Sequence, residues 1–262
     1  MGRYFLFYCI NYHCDDIIQM YHCDGREEKC MHKVTIFHGS DHIIEKPDIT
    51  LGKRNNDYGQ GFYCTKEKSM AKEWACKNNV DGFVNTYSLN LDSLKVLNLL
   101  DGEYHILHWM ALLLKNRTFR LSSEIAMDAK AYILNHFLMD VSSYDIVIGY
   151  RADDSYFSFA EAFIQNGLPL RTLNKALRLG KLGEQIVLVS KKAFDQLQFE
   201  NAEIVDKTQY YPKFIHRDVN AREQYKNEIR KSPSYKDDIF VLDILREEMQ
   251  YDDERIQRIV SK

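Results

Sequence analysis

The chain has 262 residues, 45% of them apolar and 28% charged, with a formal net charge of −3. That is enough apolar material for one generous core with small appendages. The slight acidity argues against a nucleic-acid target held by a global basic field, leaving only local patches such as Lys53-Arg54 and residues 171–181. No stretch approaches the ~18 uninterrupted apolar residues of a membrane span, and the start lacks a small-residue cleavage pattern, so a cytoplasmic chain without membrane association is expected.

Residues 1–32 form a Cys/His-rich prefix. Cys9, Cys14, Cys23 and Cys30, with His13, His22 and His32, have the chemistry of zinc ligands. No Cys-x2-Cys pair is present, so the expectation is an extension with reduced thiols and no metal; a partner-binding arm is the alternative.

Residues 34–37 then read as a short buried strand, stopped by His38-Gly39-Ser40. A histidine at a strand end offers a ring nitrogen to a ribose hydroxyl, and the adjacent glycine leaves room for a flat ring. Residues 41–56 are polar, contain Pro47 and the Lys53-Arg54-Asn55-Asn56 cluster, and read as a loop. As a cover for a pyrophosphate, Arg54 suits paired oxygens better than Lys53; a solvated charged turn is the plain alternative. Residues 61–65 form a second short strand, entered through Gly59 and Gly61, that presents Tyr63 for stacking.

A helix is expected over 69–77, where Ala71, Trp74 and Ala75 share a face. Strands follow at 84–89 and 94–97, joined by a turn, then apolar helices at 104–115 and 124–137. Residues 144–150 read as a buried strand leading through Gly149 to Arg151-Ala152-Asp153-Asp154. The aspartates invite a metal or acid-base reading, but capping the helix at 156–165 is the more economical role. A helix at 170–179, a central strand at 186–189, a short helix at 191–197 and terminal helices at 221–231 and 239–250 complete the chain. The last of these is expected to pack on the domain, with capture of a partner as the sharper alternative.

Three segments in order carry a resemblance: Phe37-His38-Gly39-Ser40, Asp57-Tyr58-Gly59-Gln60-Gly61-Phe62-Tyr63, and Glu184-Gln185-Ile186-Val187. They resemble the ADP-ribosyltransferase superfamily, in the His-Tyr-Glu branch that includes diphtheria toxin and the poly(ADP-ribose) polymerases. With Ile148-Gly149 and Ala152-Asp153-Asp154 added, they look like a bacterial toxin-like family whose members often accompany small antitoxin-like neighbours. The resemblance spans roughly residues 33 to 250, with the first two segments specific and the third weak.

The resemblance implies an α+β fold: a split pair of mostly antiparallel sheets with peripheral helices, as a catalytic domain over 33–200 and a C-terminal helical extension over 201–262 packing on it. It implies NAD as donor substrate, with His38, Gly39, Ser40, Arg54, Tyr58, Gly61, Tyr63 and Ser69 binding it. His38, Tyr63 and either Glu184 or Gln185 would carry the chemistry. Adjacent strand residues face opposite ways, so a regular strand admits only one of the last two to the cleft. The implied activity is transfer of ADP-ribose to a protein or nucleic-acid acceptor, as an intracellular bacterial or phage-associated toxin or effector with an antitoxin as possible partner. NAD hydrolysis and a catalytically silent NAD- or ADP-ribose-binding module are the alternatives.

Overall fold

A computed structural model of the chain describes residues 32–152, 154–177, 183–231 and 236–260. Two sheets organise them. The first has three antiparallel strands in the order β1 (Lys33–Ser40), β3 (Gly82–Asn90), β7 (Leu197–Val205). The second has four, in the order β2 (Phe62–Cys64), β6 (Glu184–Leu188), β5 (Ile146–Tyr150), β4 (Val96–Asn98), antiparallel except for the β4–β5 pair. With the helices around them this is the expected α+β architecture. The prefix, apart from His32, lies outside the described residues, as do Asp153 and residues 178–182.

Alternation along β6 explains how the second sheet is buried on both faces. Ile186 and Leu188 meet Ile36, Tyr87 and Leu89 of the first sheet, while Val187 joins the helical side. On that side lies α2 (Ile106–Asn116), whose residues from Ile106 to Leu114 are all buried, as befits a helix apolar all round. Its start is capped by histidine: His105 Nδ1 accepts from the Leu107 N–H, and His108 Nδ1 from the His105 N–H. Helix α3 (Glu124–Phe137) begins at Ser123, whose hydroxyl accepts from the Ala126 N–H. Helices α4 (Asp154–Ile164), α5 (Leu170–Ala176), α8 (Val241–Arg246) and α9 (Glu254–Val260) complete this larger core. None of the described helices is long and apolar enough to cross a membrane.

Helix α7 (Lys207–Lys231) begins at Lys207 rather than at residue 221, α9 was not foreseen, and two strands differ from expectation. The strand expected at 94–97 does not continue a hairpin with its predecessor. Ser93 turns the chain at φ 64°, and Lys95 then exchanges hydrogen bonds with Asp145, which places β4 parallel to β5 in the other sheet. Strand β7 was not foreseen, and it runs across the domain boundary expected at residue 200. Its pairing with β3 steps from Thr86↔Asn201 to Tyr87↔Phe199, so Glu200 is an extra residue that breaks the two-residue alternation.

Besides the side-chain packing of Ile186 and Leu188 on the first sheet, one pair of backbone hydrogen bonds among the described residues joins the two sheets. The Phe37 N–H donates to the Thr65 carbonyl at 2.8 Å and the Thr65 N–H to the Phe37 carbonyl at 3.0 Å. Beyond this bridge β1 and β2 separate. Helix α1 (Lys68–Ala75) packs on β1, and α7 (Lys207–Lys231) packs on α1 in turn; α6 (Lys191–Asp195) links β6 to β7. The α1–α7 joint is an ion pair. Arg217 donates from Nε and Nη2 to both carboxylate oxygens of buried Glu73, at 2.7 and 2.6 Å, beside the edge-to-face contact of Trp74 with Phe214.

Breaking that pair from one side strands a buried charge. Arg217→Ala is expected to cost about 3–5 kcal/mol in urea unfolding, whereas the double change Glu73→Leu with Arg217→Met costs far less. Equal losses from the two would show that the joint is held by something other than charge pairing.

Candidate functional site

Where the sheets part there is a cavity of about 550 Å³. Strand β1 contributes His38 and the Gly39 backbone; the segment into β2 contributes Gly61 to Thr65. Helix α1 contributes Trp74 and is followed by Lys77, and the 42–57 loop supplies Lys46, Asp48, Lys53 and Asp57. Arg117 follows α2, Arg151 and Ala152 follow β5, and Gln185 comes from β6.

His38 is held from two sides. Its ring stacks on Phe62 with centroids 4.4 Å apart, and Nδ1 lies 2.7 Å from the Tyr63 carbonyl. A carbonyl only accepts, so Nδ1 carries the proton, and in the neutral ring Nε2 keeps its lone pair. Burial lowers the His38 pKa to about 4, outweighing the Tyr63 hydrogen bond, with Lys77, His42 and Arg151 pushing further down. Near neutral pH the imidazole is therefore an acceptor for an incoming hydroxyl.

Tyr63 faces the same cavity, with its phenol already in use. The hydroxyl donates to the Gly59 carbonyl at 2.7 Å and accepts from the Tyr58 N–H at 3.1 Å, which closes the 58–63 turn on its own aromatic residue. Burial raises its pKa further from neutrality. The ring face, rather than the hydroxyl, is what this residue offers a ligand.

Burial and the cavity lining distinguish Gln185 from Glu184. Gln185 stands opposite Gly149 and Glu184 opposite Tyr150; alternation along β6 puts them on different faces. Gln185 is 7% exposed, lines the cavity, and its Oε1 is buried without a hydrogen-bond partner among the described residues. Glu184 lies outside the lining, is exposed, and sits 3.9 Å from Lys66.

Several other sequence candidates serve the frame. Ser40 Oγ donates to the His42 carbonyl at 2.5 Å and accepts from Asn85 Nδ2 at 2.9 Å. Fully buried Asn85 also accepts from the Ile44 N–H, so it fastens the loop that leaves β1. The Tyr58 hydroxyl donates to the Tyr150 carbonyl at 2.6 Å, in space that a side chain at Gly149 would fill. Ser69 is exposed on the first turn of α1. Lys53 lines the cavity, whereas exposed Arg54 does not. Gly39 has a second constraint: a Cβ there would lie 2.0 Å from the Ala71 carbonyl oxygen, so its missing side chain lets α1 approach β1.

Asp57, Arg117, Arg151, Trp74 and Lys77 were not singled out from the sequence. The buried Asp57 carboxylate accepts from Arg117 Nη1 and from the Ala152 N–H, both at 2.9 Å, tying the turn before β2 to the ends of α2 and β5. Burial raises its pKa, against the pull of these partners. The Asp-Tyr-Gly segment contained a hint of this, since an aspartate beside a buried tyrosine needs partners; the cations carried no local signal.

In all, five lining side chains are Lys or Arg and two are Asp, one of which is bound to Arg117. The arrangement is an acceptor floor, His38 Nε2 and Gln185 Oε1, beside an aromatic face and under a cationic rim. It suits a ligand with hydroxyl or amide donors, a flat ring and negative charge.

Residues 34–199 match the family model described as "Protein of unknown function (DUF3990)". The match runs from β1 into β7 and contains every residue of the cavity lining named above. No curated protein and no solved structure matches the chain.

Two outcomes follow from this geometry. By NMR the His38 imidazole is expected to titrate near pH 4, its signal identified by loss in His38→Gln; a midpoint near 6.5 would place the ring in solvent. Because the folded pKa is depressed, its contribution to stability is present above about pH 6.5 and disappears as the pH falls through 4. Gly39→Ala is expected to lose about 1–3 kcal/mol or more in urea unfolding, because helix backbone must move.

Proposed function

The chain belongs to the DUF3990 family, and for this member we propose that the cleft binds NAD and transfers ADP-ribose from it to a macromolecular acceptor. The observation that carries the reading is the junction of His38 with Tyr63 at the parting of the sheets. One hydrogen bond fixes the imidazole to the backbone of the residue whose ring lines the same cavity. His38 Nε2 accepts a hydroxyl of the nicotinamide ribose, and the Tyr63 ring stacks on the nicotinamide. Gln185 Oε1 accepts a second donor from the sugar. The rim cations suit the diphosphate.

In the reaction the bond between ribose C1' and nicotinamide breaks, its electron pair leaving with the now neutral amide. The acceptor's nucleophilic atom bonds to C1', and its proton, if it carries one, goes to solvent. Positive charge on the ribose in the transition state is met by the carbonyl dipole of Gln185 rather than by a full negative charge. A glutamine is no general base, which favours addition of a single ADP-ribose over chain growth. An intracellular toxin or effector role, checked by an antitoxin partner, belongs to the same reading and rests on the resemblance of the three segments.

The amide at position 185 also favours a second reading, a cleft that binds NAD without turning it over. Incubating cell extract and protein with labelled NAD, followed by mass spectrometry, separates the cases. Label retained on protein or nucleic acid supports transfer, and free ADP-ribose alone indicates hydrolysis. Tight binding without nicotinamide release indicates the silent module.

His38→Ala is expected to reduce nicotinamide release about 10- to 100-fold, the worth of one hydrogen bond in a desolvated site. Tyr63→Ala should do the same, while Tyr63→Phe keeps the ring and most of the activity and loses about 1 kcal/mol of stability from the opened turn. Wild-type turnover by folded His38→Ala and Tyr63→Ala proteins would remove the assignment.

A further inference from the structure

We propose that Arg151, Lys77 and the Trp74 ring they share form the wall of the cleft that grips the ligand's diphosphate. Arg151 follows β5 and Lys77 follows α1, yet both cations reach the same indole: Arg151 Cζ is 4.8 Å from the ring centroid and Lys77 Nζ is 4.9 Å from it. All three residues line the cavity, and Arg151 is only 7% exposed. The indole face offsets part of the cost of holding a guanidinium away from water and fixes the plane of its fork.

The fields of both cations reach His38, since each lowers its pKa. The wall and the imidazole that receives the sugar hydroxyl line the same cavity. Each carboxylate of the lining has hydrogen-bond donors of its own, and Asp57 also feels the charge of Arg151. Asp57 accepts from Arg117 and Ala152, and Asp48 accepts from the Thr50 N–H and Oγ1, each at 2.7 Å. A planar fork and a point charge are both groups that suit phosphoryl oxygens. This deepens the NAD reading and rests on it for the identity of the dinucleotide. The wall itself is testable alone, because inorganic pyrophosphate carries neither ribose nor nicotinamide.

Isothermal titration of the full chain with inorganic pyrophosphate, ADP-ribose and NAD provides the test. Lys77→Gln, at an exposed site, is expected to weaken pyrophosphate and ADP-ribose about tenfold, the worth of one charge-assisted contact, with an unchanged urea midpoint as the check that the fold is kept. Arg151→Gln should weaken them at least as much. Arg54→Gln, outside the lining, should leave both affinities unchanged, and His38→Ala should weaken NAD while sparing pyrophosphate. Tryptophan emission should change on adding pyrophosphate and lose that response in Trp74→Phe. Wild-type affinity for pyrophosphate and ADP-ribose in Lys77→Gln overturns the wall, as does no pyrophosphate binding by the unaltered chain, even if NAD is consumed. Pyrophosphate binding that Lys77→Gln weakens supports the wall, even if NAD binds no tighter than pyrophosphate and the NAD reading falls.

Discussion

Two backbone hydrogen bonds between Phe37 and Thr65 set the geometry of everything around the cleft. They hold β1 and β2 together at one point and nowhere beyond it, so the residues just past the contact on each strand look into open space. His38 is the next residue on β1; Tyr63 lies two before the contact on β2. A longer ladder would have sealed the gap with backbone, and no ladder would have left the sheets free to slide. The bridge works because each strand is anchored on its other edge, β1 by eight paired residues of β3 and β2 by β6.

Around this contact, polar groups are spent on holding the frame, and what remains free is chemically narrow. The Tyr63 hydroxyl closes a turn, Asp57 ties three elements, Ser40 and Asn85 fix the loop leaving β1, and His38 Nδ1 is bound to a carbonyl. His38 Nε2 and Gln185 Oε1 offer acceptors to the cavity, and the charges of its lining are mostly positive. A ligand that satisfies both must carry its donors at one end and its negative charge at the other, which is how a sugar phosphate is built.

The parts of this arrangement that could be read from the sequence were those written locally. The β-rich run ending at His38, the glycines that frame Tyr63 and the apolar stripes of the helices all announce themselves within ten residues or so. Strand β7 did not, because the bulge at Glu200 shifts its alternation in mid-strand. The partner sheet of β4 was hidden for another reason: it depends on Lys95 meeting Asp145, fifty residues away. The choice between Glu184 and Gln185 is one of parity, fixed only when β6 registers against its neighbours. Arg117, Arg151 and Lys77 had no local signature at all, since a lone cation acquires meaning only from what the fold sets beside it.

Helix α1 has two allegiances. One side of it supplies Trp74 to the cavity, and the adjacent Glu73 is buried beneath Arg217 of α7. The segment shared with the family ends at residue 199, inside β7 and before α7 begins. A chain trimmed to that segment would keep only three of the nine residues of an edge strand and uncover the Glu73 carboxylate, beside the tryptophan of the cleft. Helix α7 is thereby joined to the wall of the cleft through a single turn of α1, although no residue of α7 lines the cavity.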